Sequence, residues 1–495
     1  MAGARQGPRL IRNAGFLLLS QVITVGAAVL VLAITARYLG VARFGLQSVL
    51  RAAAAFAFPI VAGGLRVHMI REINHDPEGA PGYVGTVLAL RWALVVAASL
   101  IAAGVVCLLP LAEEVRLGSY AAILLAASGV WDAIPRAIFI AYERNEYNLV
   151  MSMANGAFTI LFTHLAVRLD TGVAGILTAS AAANVVTAQA GLFPAYRTMV
   201  RPKLHVDLAR WRTILRESIP VGVSGVLKRL YAQVDVWLLA GLKDAAAAGL
   251  FSVAYRVTVQ GTTTSILIAN VILPRLARLA RDSREQLRDA VEGLLLATLV
   301  ASVPLAGVLA AVSRPLVLLV AGPQFADSVE ALRLVSVVLV TALPNALLFY
   351  ILVSLGKQFT GTLCLAATVA ANVALDAALI PSFGVRGACI GTIVAEWTFL
   401  ALALALIHRS LHLSSLWRFV GKPLLAGAAM AAAIWLAGPT RPALAVVSGL
   451  GLYGTLCLLL RCAPRGTVRE LRRALAAPRA EPQVVYASAD GLGQD

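Results

Sequence analysis

A pair of basic residues lies near the centre of one apolar segment of this 495-residue chain. Lys228 and Arg229 stand in the stretch VLKRLYAQVDVWLL, and Asp235 follows Lys228 by seven residues, two helical turns along the same face. A Lys–Asp contact across two turns is long, so an ion pair within this helix is a strained explanation. We therefore expect the cations to face a water-filled cavity, where they can bind an anion such as a phosphate or pyrophosphate.

Two further arginines follow two copies of one phrase. Gly45-Leu-x-Ser-Val precedes Arg51, and Gly249-Leu-x-Ser-Val precedes Arg256. Neither arginine has a carboxylate three or four residues away. The two side chains can converge on one cavity or extend separately to the outer headgroups, and the sequence supports both alternatives equally.

Carboxylates also occur within apolar segments. Asp132 has Arg136 four residues later, which favours a structural ion pair on one helix face over a role in binding. Asp376 and Glu396 have no such local partner. They can pair with cations across a cavity or transfer protons in an ion-coupled cycle, and both options stay open.

The composition shows what surrounds these groups. Hydrophobic residues make up 59% of the chain, charged residues 14%, and the mean hydropathy is +0.82, well outside the range of soluble globular proteins. At about 20 residues per span, the sequence predicts an all-α integral membrane protein with fourteen transmembrane helices. The predicted spans lie near 14–36, 44–65, 84–110, 118–142, 148–168, 172–194, 218–240, 248–274, 289–312, 327–356, 358–380, 385–408, 419–438 and 442–461.

The basic residues predict the orientation. An even number of spans puts both termini on one side, and most of the 42 lysines and arginines fall on that side. The positive-inside rule then places both termini in the cytoplasm. The net charge of +17 is thereby explained by topology and anionic lipid headgroups, so no nucleic-acid partner is expected. Richness in alanine and arginine is typical of high-GC bacterial genomes, which predicts a bacterial cell (inner) membrane.

The sequence lacks the motifs that are typical of metal binding, ATP binding and enzymatic catalysis. The five cysteines are scattered without metal-binding spacing, and no G-x-x-x-x-G-K-[ST] loop occurs. The hairpins predicted to face outward are short. We therefore expect no metal, no cofactor, no direct use of ATP and no enzymatic activity.

Three short matches in the same order, about 210 residues apart, indicate an internal repeat. An even-numbered unit of six helices enters the membrane twice in the same direction, so the copies are parallel and related by an axis along the membrane normal. The matched pairs are the phrases at Gly45 and Gly249, Ile134-Pro135 and Leu343-Pro344, and GVAG at Gly172 and GVRG at Gly384.

The repeat predicts five parts of the chain. Residues 1–196 form a first six-helix bundle and residues 218–410 a second one, joined by a cytoplasmic basic linker at 197–217. Residues 411–461 form two additional transmembrane helices. Residues 462–495 form a cytoplasmic tail that is expected to be partly disordered.

Several longer phrases carry a family resemblance. They are ARYLGVARFGLQSV, SIPVGVSGVLKRLYAQVDVWLLAGLKDAAAAGLFSVAYRV, RPLVLLVAGPQFADSVEALRLV and NVALDAALIPSFGVRGACIGTIVAEW. These phrases resemble the polysaccharide-unit flippases of the multidrug, oligosaccharidyl-lipid and polysaccharide exporter (MOP) superfamily. The resemblance implies two six-helix bundles around a V-shaped cavity. It also implies transfer of undecaprenyl-pyrophosphate-linked oligosaccharides to the outer leaflet, for O-antigen (lipopolysaccharide), capsule or exopolysaccharide assembly.

The resemblance can be followed to single residues. Tyr231 and Asp235 match the Tyr-x-x-x-Asp of this branch, the segment Gly249–Tyr255 matches its Gly-x-x-Ser-x-Ala-Tyr, and Asn372 matches its asparagine in the eleventh span. Asp376 stands where the motif usually has asparagine. That departure leaves open whether the site binds sugar hydroxyls or a proton.

Together, the residues and the resemblance predict a site and a mechanism. The pyrophosphate rests on the cations, the glycan fills the aqueous cavity, and the polyprenyl tail stays in lipid while the bundles alternate in access under an ion gradient. The partners are the lipid-linked oligosaccharide and the bilayer, with a polysaccharide polymerase and glycosyltransferases as candidates. The predicted substrate-binding residues are Arg51, Lys228, Arg229, Tyr231, Asp235 and Arg256, and the candidate ion-coupling residues are Asp376 and Glu396.

Three rival functions remain at this point. A multidrug or toxin cation antiporter would need a deep carboxylate in the first bundle, where Asp132 has its own arginine. A peptidoglycan lipid-precursor flippase shares fourteen spans and a cationic cavity, but the phrases fit it less well. A membrane glycosyltransferase or polymerase normally needs a sizeable outer loop with catalytic groups.

Overall fold

The computed structural model describes residues 6–57, 59–260, 276, 279, 283–413, 420–437, 442–460 and 462. Its regular structure within these ranges is helical. The helices are α1 (Gln6–Ala57), α2 (Pro59–His75), α3 (Ala80–Leu108), α4 (Glu113–Ala141), α5 (Asn145–Arg168), α6 (Gly172–Thr198), α7 (Leu208–Leu242), α8 (245–260), α9 (Arg284–Ala311), α10 (Ser313–Val320), α11 (Ser328–Val335), α12 (Val338–Ser354), α13 (Gln358–Phe383), α14 (Val385–Leu411), α15 (Lys422–Ala437) and α16 (Pro442–Leu459), with one 3₁₀ turn at Pro323–Phe325.

Length and hydropathy fit a membrane-spanning bundle. Within the described ranges, nine helical segments are long and apolar enough to cross a membrane, and α15 and α16 are shorter apolar helices. The predicted all-helical multi-pass membrane protein is therefore confirmed, whereas the count of fourteen spans stays a prediction. The last predicted part, 462–495, lies outside the described residues apart from Cys462.

The helices pack into two lobes joined by α7. In the first lobe, α4 packs on α6 while α5 contacts α1 and α6; in the second lobe, α13 packs on α14 while α12 contacts α9 and α14. Helices α15 and α16 pack on each other and on α9. Helix α7 begins at Leu208, within the segment predicted as a linker, and contacts α2 of the first lobe and α13 of the second.

The sequence repeat corresponds to a repeat in backbone conformation. Gly172 and Gly384 immediately precede or open α6 and α14, with φ values of 62° and 56°. This left-handed conformation is accessible to glycine at little cost. Pro135 and Pro344, the other matched residues, lie inside α4 and α12.

The repeated Gly-Leu-x-Ser-Val phrases meet where the lobes touch. A Cβ atom on Gly45 would lie 1.6 Å from the carbonyl oxygen of Ala245, and one on Gly249 would lie 2.3 Å from that of Val41. The two helical segments therefore cross backbone to backbone, which only glycine allows at this distance. We call this meeting point of Gly45 and Gly249 the glycine crossing.

Contacts beside the glycine crossing also hold the two lobes together. The rings of Phe44 and Phe325 pack edge to face, with centroids 5.6 Å apart. Gln324 donates a hydrogen bond from Nε2 to the carbonyl oxygen of Ala36 at 2.9 Å. The lobes are therefore held together at the end of the bundle where α1 bends at Gly40, whose φ is 70°.

We expect Gly45→Ala and Gly249→Ala to weaken this closure. The added methyl group must displace a facing backbone, and overpacking of this kind costs about 1–3 kcal/mol. Gly104→Ala in α3 is the matched control, because an added Cβ there meets nothing within 4 Å. Thermal unfolding of the purified protein in detergent checks this: both crossing variants should unfold at lower temperature than wild type and G104A. Equal unfolding temperatures in all four proteins would contradict the crossing.

Candidate functional site

A cavity of about 930 Å³ lies between the two lobes. Arginines line it from both sides: Arg51, Arg66 and Arg136 from the first lobe, Arg229 from α7 and Arg256 from α8. Among the described lining residues there is no Asp or Glu. A space of this size with positive charge and no carboxylate in its wall suits an anionic ligand.

Arg51 and Arg256 line this cavity from nearly equivalent places in the repeat, six residues after Gly45 and seven residues after Gly249. Arg51 donates from Nη2 to Oγ of Ser180 at 2.9 Å. Arg256 donates from Nη2 to Oγ of Ser48 at 3.1 Å, and its guanidinium lies 5.1 Å from the ring centroid of Phe44. Of the two alternatives in the sequence, convergence on one cavity is the arrangement in this structure.

The glycine crossing explains why these arginines come together. Ser48 belongs to the first copy of the phrase and Phe44 directly precedes that copy, so Arg256, which follows the second copy, contacts the first copy directly. Arg51 is near enough to repel Arg256 electrostatically. Two cations whose described hydrogen-bond partners are neutral can share a multivalent anion, because each guanidinium has five N–H donors and uses one of them in the bond described above.

Two cavity arginines were not among the residues predicted from sequence. Arg136 forms the predicted ion pair with Asp132, at 2.6 Å between Nε and Oδ2, yet its Nη1 also donates to Ser152 at 3.2 Å. Arg66 falls just beyond the predicted end of the second span, whereas α2 continues to His75. An i,i+4 acidic neighbour therefore did not exclude Arg136 from the cavity, and no sequence signal marked Arg66.

Lys228 lies apart from the cavity arginines. Its Nζ atom is 4.4 Å from the ring centroid of Phe349 in α12, a cation–π contact. Adjacent residues of an α-helix point about 100° apart, so Lys228 and Arg229 face different surroundings. The structure thus brings together Arg51, Arg229 and Arg256 and leaves Lys228 on the second lobe.

Tyr231 and Glu396 belong to a polar cluster inside the second lobe. Tyr231 donates from its hydroxyl to Oε1 of Glu396 at 2.7 Å. Asn345 donates from Nδ2 to Oε2 of the same carboxylate at 2.6 Å. Neither Tyr231 nor Glu396 lines the arginine cavity.

Asp235 and Asp376 form the deepest part of this cluster. Both are buried, with 3% and 0% of their surface exposed. Thr392 donates to Oδ2 of Asp235 at 2.8 Å. Asp376 and Asn372 lie against Gly391, the neighbour of Thr392: a Cβ atom on Gly391 would be 2.1 Å from Oδ1 of Asp376 and 3.6 Å from Nδ2 of Asn372. Two buried carboxyl groups therefore lie in one region of the second lobe, outside the lining of the arginine cavity.

Comparisons with known structures define the fold. The structure titled lipid II flippase MurJ, in an inward closed conformation, has a TM-score of 0.75 at 13% identity, covering 91% of this chain and 99% of that one. An inward-facing multidrug resistance MATE family transporter of the MOP superfamily has a TM-score of 0.64 at 18% identity, covering 79% and 96%. At these identities, the likeness establishes the fold alone. The protein therefore shares its fold with these two structures.

The sequence identifies the family of the chain. The profile of the polysaccharide biosynthesis protein family matches residues 10–280, more than half of the chain. The chain belongs to this family. A search among curated proteins finds no sequence match.

The charge of the cavity can be tested by thiol labelling. In a variant without the five native cysteines, we expect Gly129→Cys on the cavity wall to react about tenfold faster with an anionic methanethiosulfonate than with a cationic one. Ala112→Cys is the control, because it is exposed beside Glu113 and Glu114 and should show the opposite preference. The same preference at both positions, or no reaction at Gly129→Cys, would contradict a cationic aqueous cavity.

Proposed function

We propose that the protein is a flippase for polyprenyl-pyrophosphate-linked oligosaccharides. It moves the repeat unit from the cytoplasmic to the outer leaflet of a bacterial cell membrane by alternating access, for O-antigen, capsule or exopolysaccharide assembly. The observation that supports this most strongly is the cavity whose described lining contains five arginines and no carboxylate. Membership of the polysaccharide biosynthesis protein family supports the same substrate class.

The pyrophosphate is the group that such a cavity recognises. Arg51 and Arg256 hold it from opposite lobes, and Arg229 on α7 completes the clamp. A guanidinium binds phosphate oxygens in a bidentate geometry, which holds the headgroup at a fixed place. The glycan occupies the rest of the cavity, and the polyprenyl chain remains in the bilayer.

The rival functions make different demands on this cavity. A cation antiporter would place positive cargo against arginines that no lining carboxylate offsets among the described residues. A peptidoglycan lipid-precursor flippase would use the same pyrophosphate chemistry. The similar MurJ structure is named for lipid II, so that substrate is the second candidate, and the glycan that accumulates without the protein distinguishes the two.

The carboxyl cluster supplies the coupling to an ion gradient in this proposal. Asp235 lies six residues after Arg229 on α7, and the start of the same helix contacts the first lobe, where a Cβ on Gly64 would lie 2.2 Å from the carbonyl oxygen of Ser218. Binding of a proton or monovalent cation between Asp235 and Asp376 would stabilise α7 against the second lobe. The position of α7 then determines whether Arg229 completes the clamp.

We expect Arg229→Gln to abolish transport while the amount of folded protein stays similar. Lys228→Gln is the matched control, because it removes one charge from the adjacent residue, which contacts Phe349 outside the cavity. Transport of a fluorescent lipid-linked oligosaccharide across proteoliposomes is the measurement. Full activity of R229Q, or an equal loss in K228Q, would contradict the clamp.

The coupling proposal predicts a separate defect in Asp376→Asn. The asparagine preserves the shape of the side chain and removes its charge, so transport should no longer accelerate when a proton or sodium gradient is imposed. Asp170→Asn is the control, because Asp170 is exposed and accepts a hydrogen bond from Tyr38 at 2.7 Å, far from the cluster. Rates are compared with and without each gradient in the same vesicles. Unchanged acceleration in D376N would exclude this cluster as the coupling site.

A further inference from the structure

Among the described residues, the polar groups that line the cavity belong mainly to the first lobe. Besides its arginines, the first lobe lines the cavity with hydroxyl and amide side chains: Thr24, Ser152, Asn155, Thr159, Ser180 and Asn184. Within the described part of α7 and α8, the opposite wall presents only Arg229, Arg256 and Gln260 as polar residues. A ligand with many hydroxyl groups would therefore find hydrogen-bond partners on this wall of the first lobe.

Two asparagines form the centre of this wall. Asn155 of α5 donates from Nδ2 to Oδ1 of Asn184 of α6 at 3.0 Å, and Asn184 donates from Nδ2 to Ser128 at 3.1 Å. These bonds fix the orientation of both amides. They leave the Oδ1 atom of Asn155 and one N–H of each amide for another partner. We call Asn155 and Asn184 the amide pair.

Arginine-bound serines flank the amide pair on both helices. Ser180, which accepts from Arg51 at 2.9 Å, lies one turn before Asn184 on α6. Ser152, which accepts from Arg136 at 3.2 Å, lies one turn before Asn155 on α5. One helical turn is about 5.4 Å long, which is about the length of one sugar residue. The amide pair therefore lies about one sugar residue away from a group bound by Arg51.

The geometry points to the amide pair as the subsite for the first sugar of the glycan, the one bonded directly to the pyrophosphate. This inference rests on the proposed function, because the clamp places the pyrophosphate at Arg51. An amide with a free carbonyl and free N–H groups can accept from one sugar hydroxyl and donate to its neighbour. The amide pair thus favours sugars whose hydroxyl groups match its donors and acceptors, and so contributes to substrate specificity.

Binding of two ligands tests this assignment in the purified full-length protein. One ligand is undecaprenyl pyrophosphate, which has no sugar. The other is the lipid-linked oligosaccharide extracted from cells in which the gene has been deleted. Asn155→Leu and Asn184→Leu should each bind the glycosylated lipid about tenfold more weakly, with unchanged binding of undecaprenyl pyrophosphate. Arg51→Gln should weaken the binding of both ligands.

Thr178→Val is the matched control, because this α6 hydroxyl is exposed, does not line the cavity and donates to the carbonyl oxygen of Gly175. It should bind both ligands as wild type does. If N155L and N184L bind both ligands equally weakly, or bind the glycosylated lipid normally, the amide pair is not the sugar subsite. Neither result would contradict the binding of pyrophosphate by the arginines. If the wild-type protein binds neither ligand, the proposed function fails and the subsite fails with it.

Discussion

The energetic cost of holding arginines inside a membrane governs this structure. Each charge at the bilayer centre costs about 2.5–3.5 kcal/mol on insertion scales. The described residues that line the cavity include five arginines and no carboxylate. Within the part of the chain that the structure describes, Arg136 alone among these five arginines has an ion-pair partner, Asp132. The remaining charges need water and an anionic ligand, so the two lobes must enclose an aqueous space. The glycine crossing satisfies this requirement by bringing Arg51 and Arg256 together while the backbones behind them touch.

Helix α7 contributes residues to both the arginine cavity and the carboxyl cluster. Arg229 faces the anion cavity, whereas Tyr231 and Asp235 face the carboxyl cluster of the second lobe. The beginning of α7 packs instead on α2 of the first lobe. In the proposed mechanism, a proton or cation that neutralises Asp235 and Asp376 acts on the same helix that presents Arg229. This one helix would then couple the cation gradient to the anionic cargo.

Much of this architecture could be predicted from sequence, because it depends on patterns of residue types along the chain. Hydropathy predicts membrane helices, and repeated glycines such as Gly172 and Gly384 indicate equivalent turns. Side-chain direction is harder to predict: Lys228 and Arg229 were grouped together, although neighbours on a helix diverge by about 100°. Helix α10 was missed because it is only eight residues long. Arg66 was missed because charged residues near a predicted span end look like loop residues.

We propose that this protein exports a pyrophosphate-linked glycan and binds it in the arginine cavity. Deleting the gene and extracting the polyprenyl-pyrophosphate lipids tests this function, with chemical access from outside showing which leaflet holds them. We expect one completed oligosaccharide to accumulate on the inner leaflet while a surface polysaccharide disappears, and we expect the wild-type gene, but not R229Q, to restore export. An unchanged lipid pool with an intact surface glycan would exclude this function.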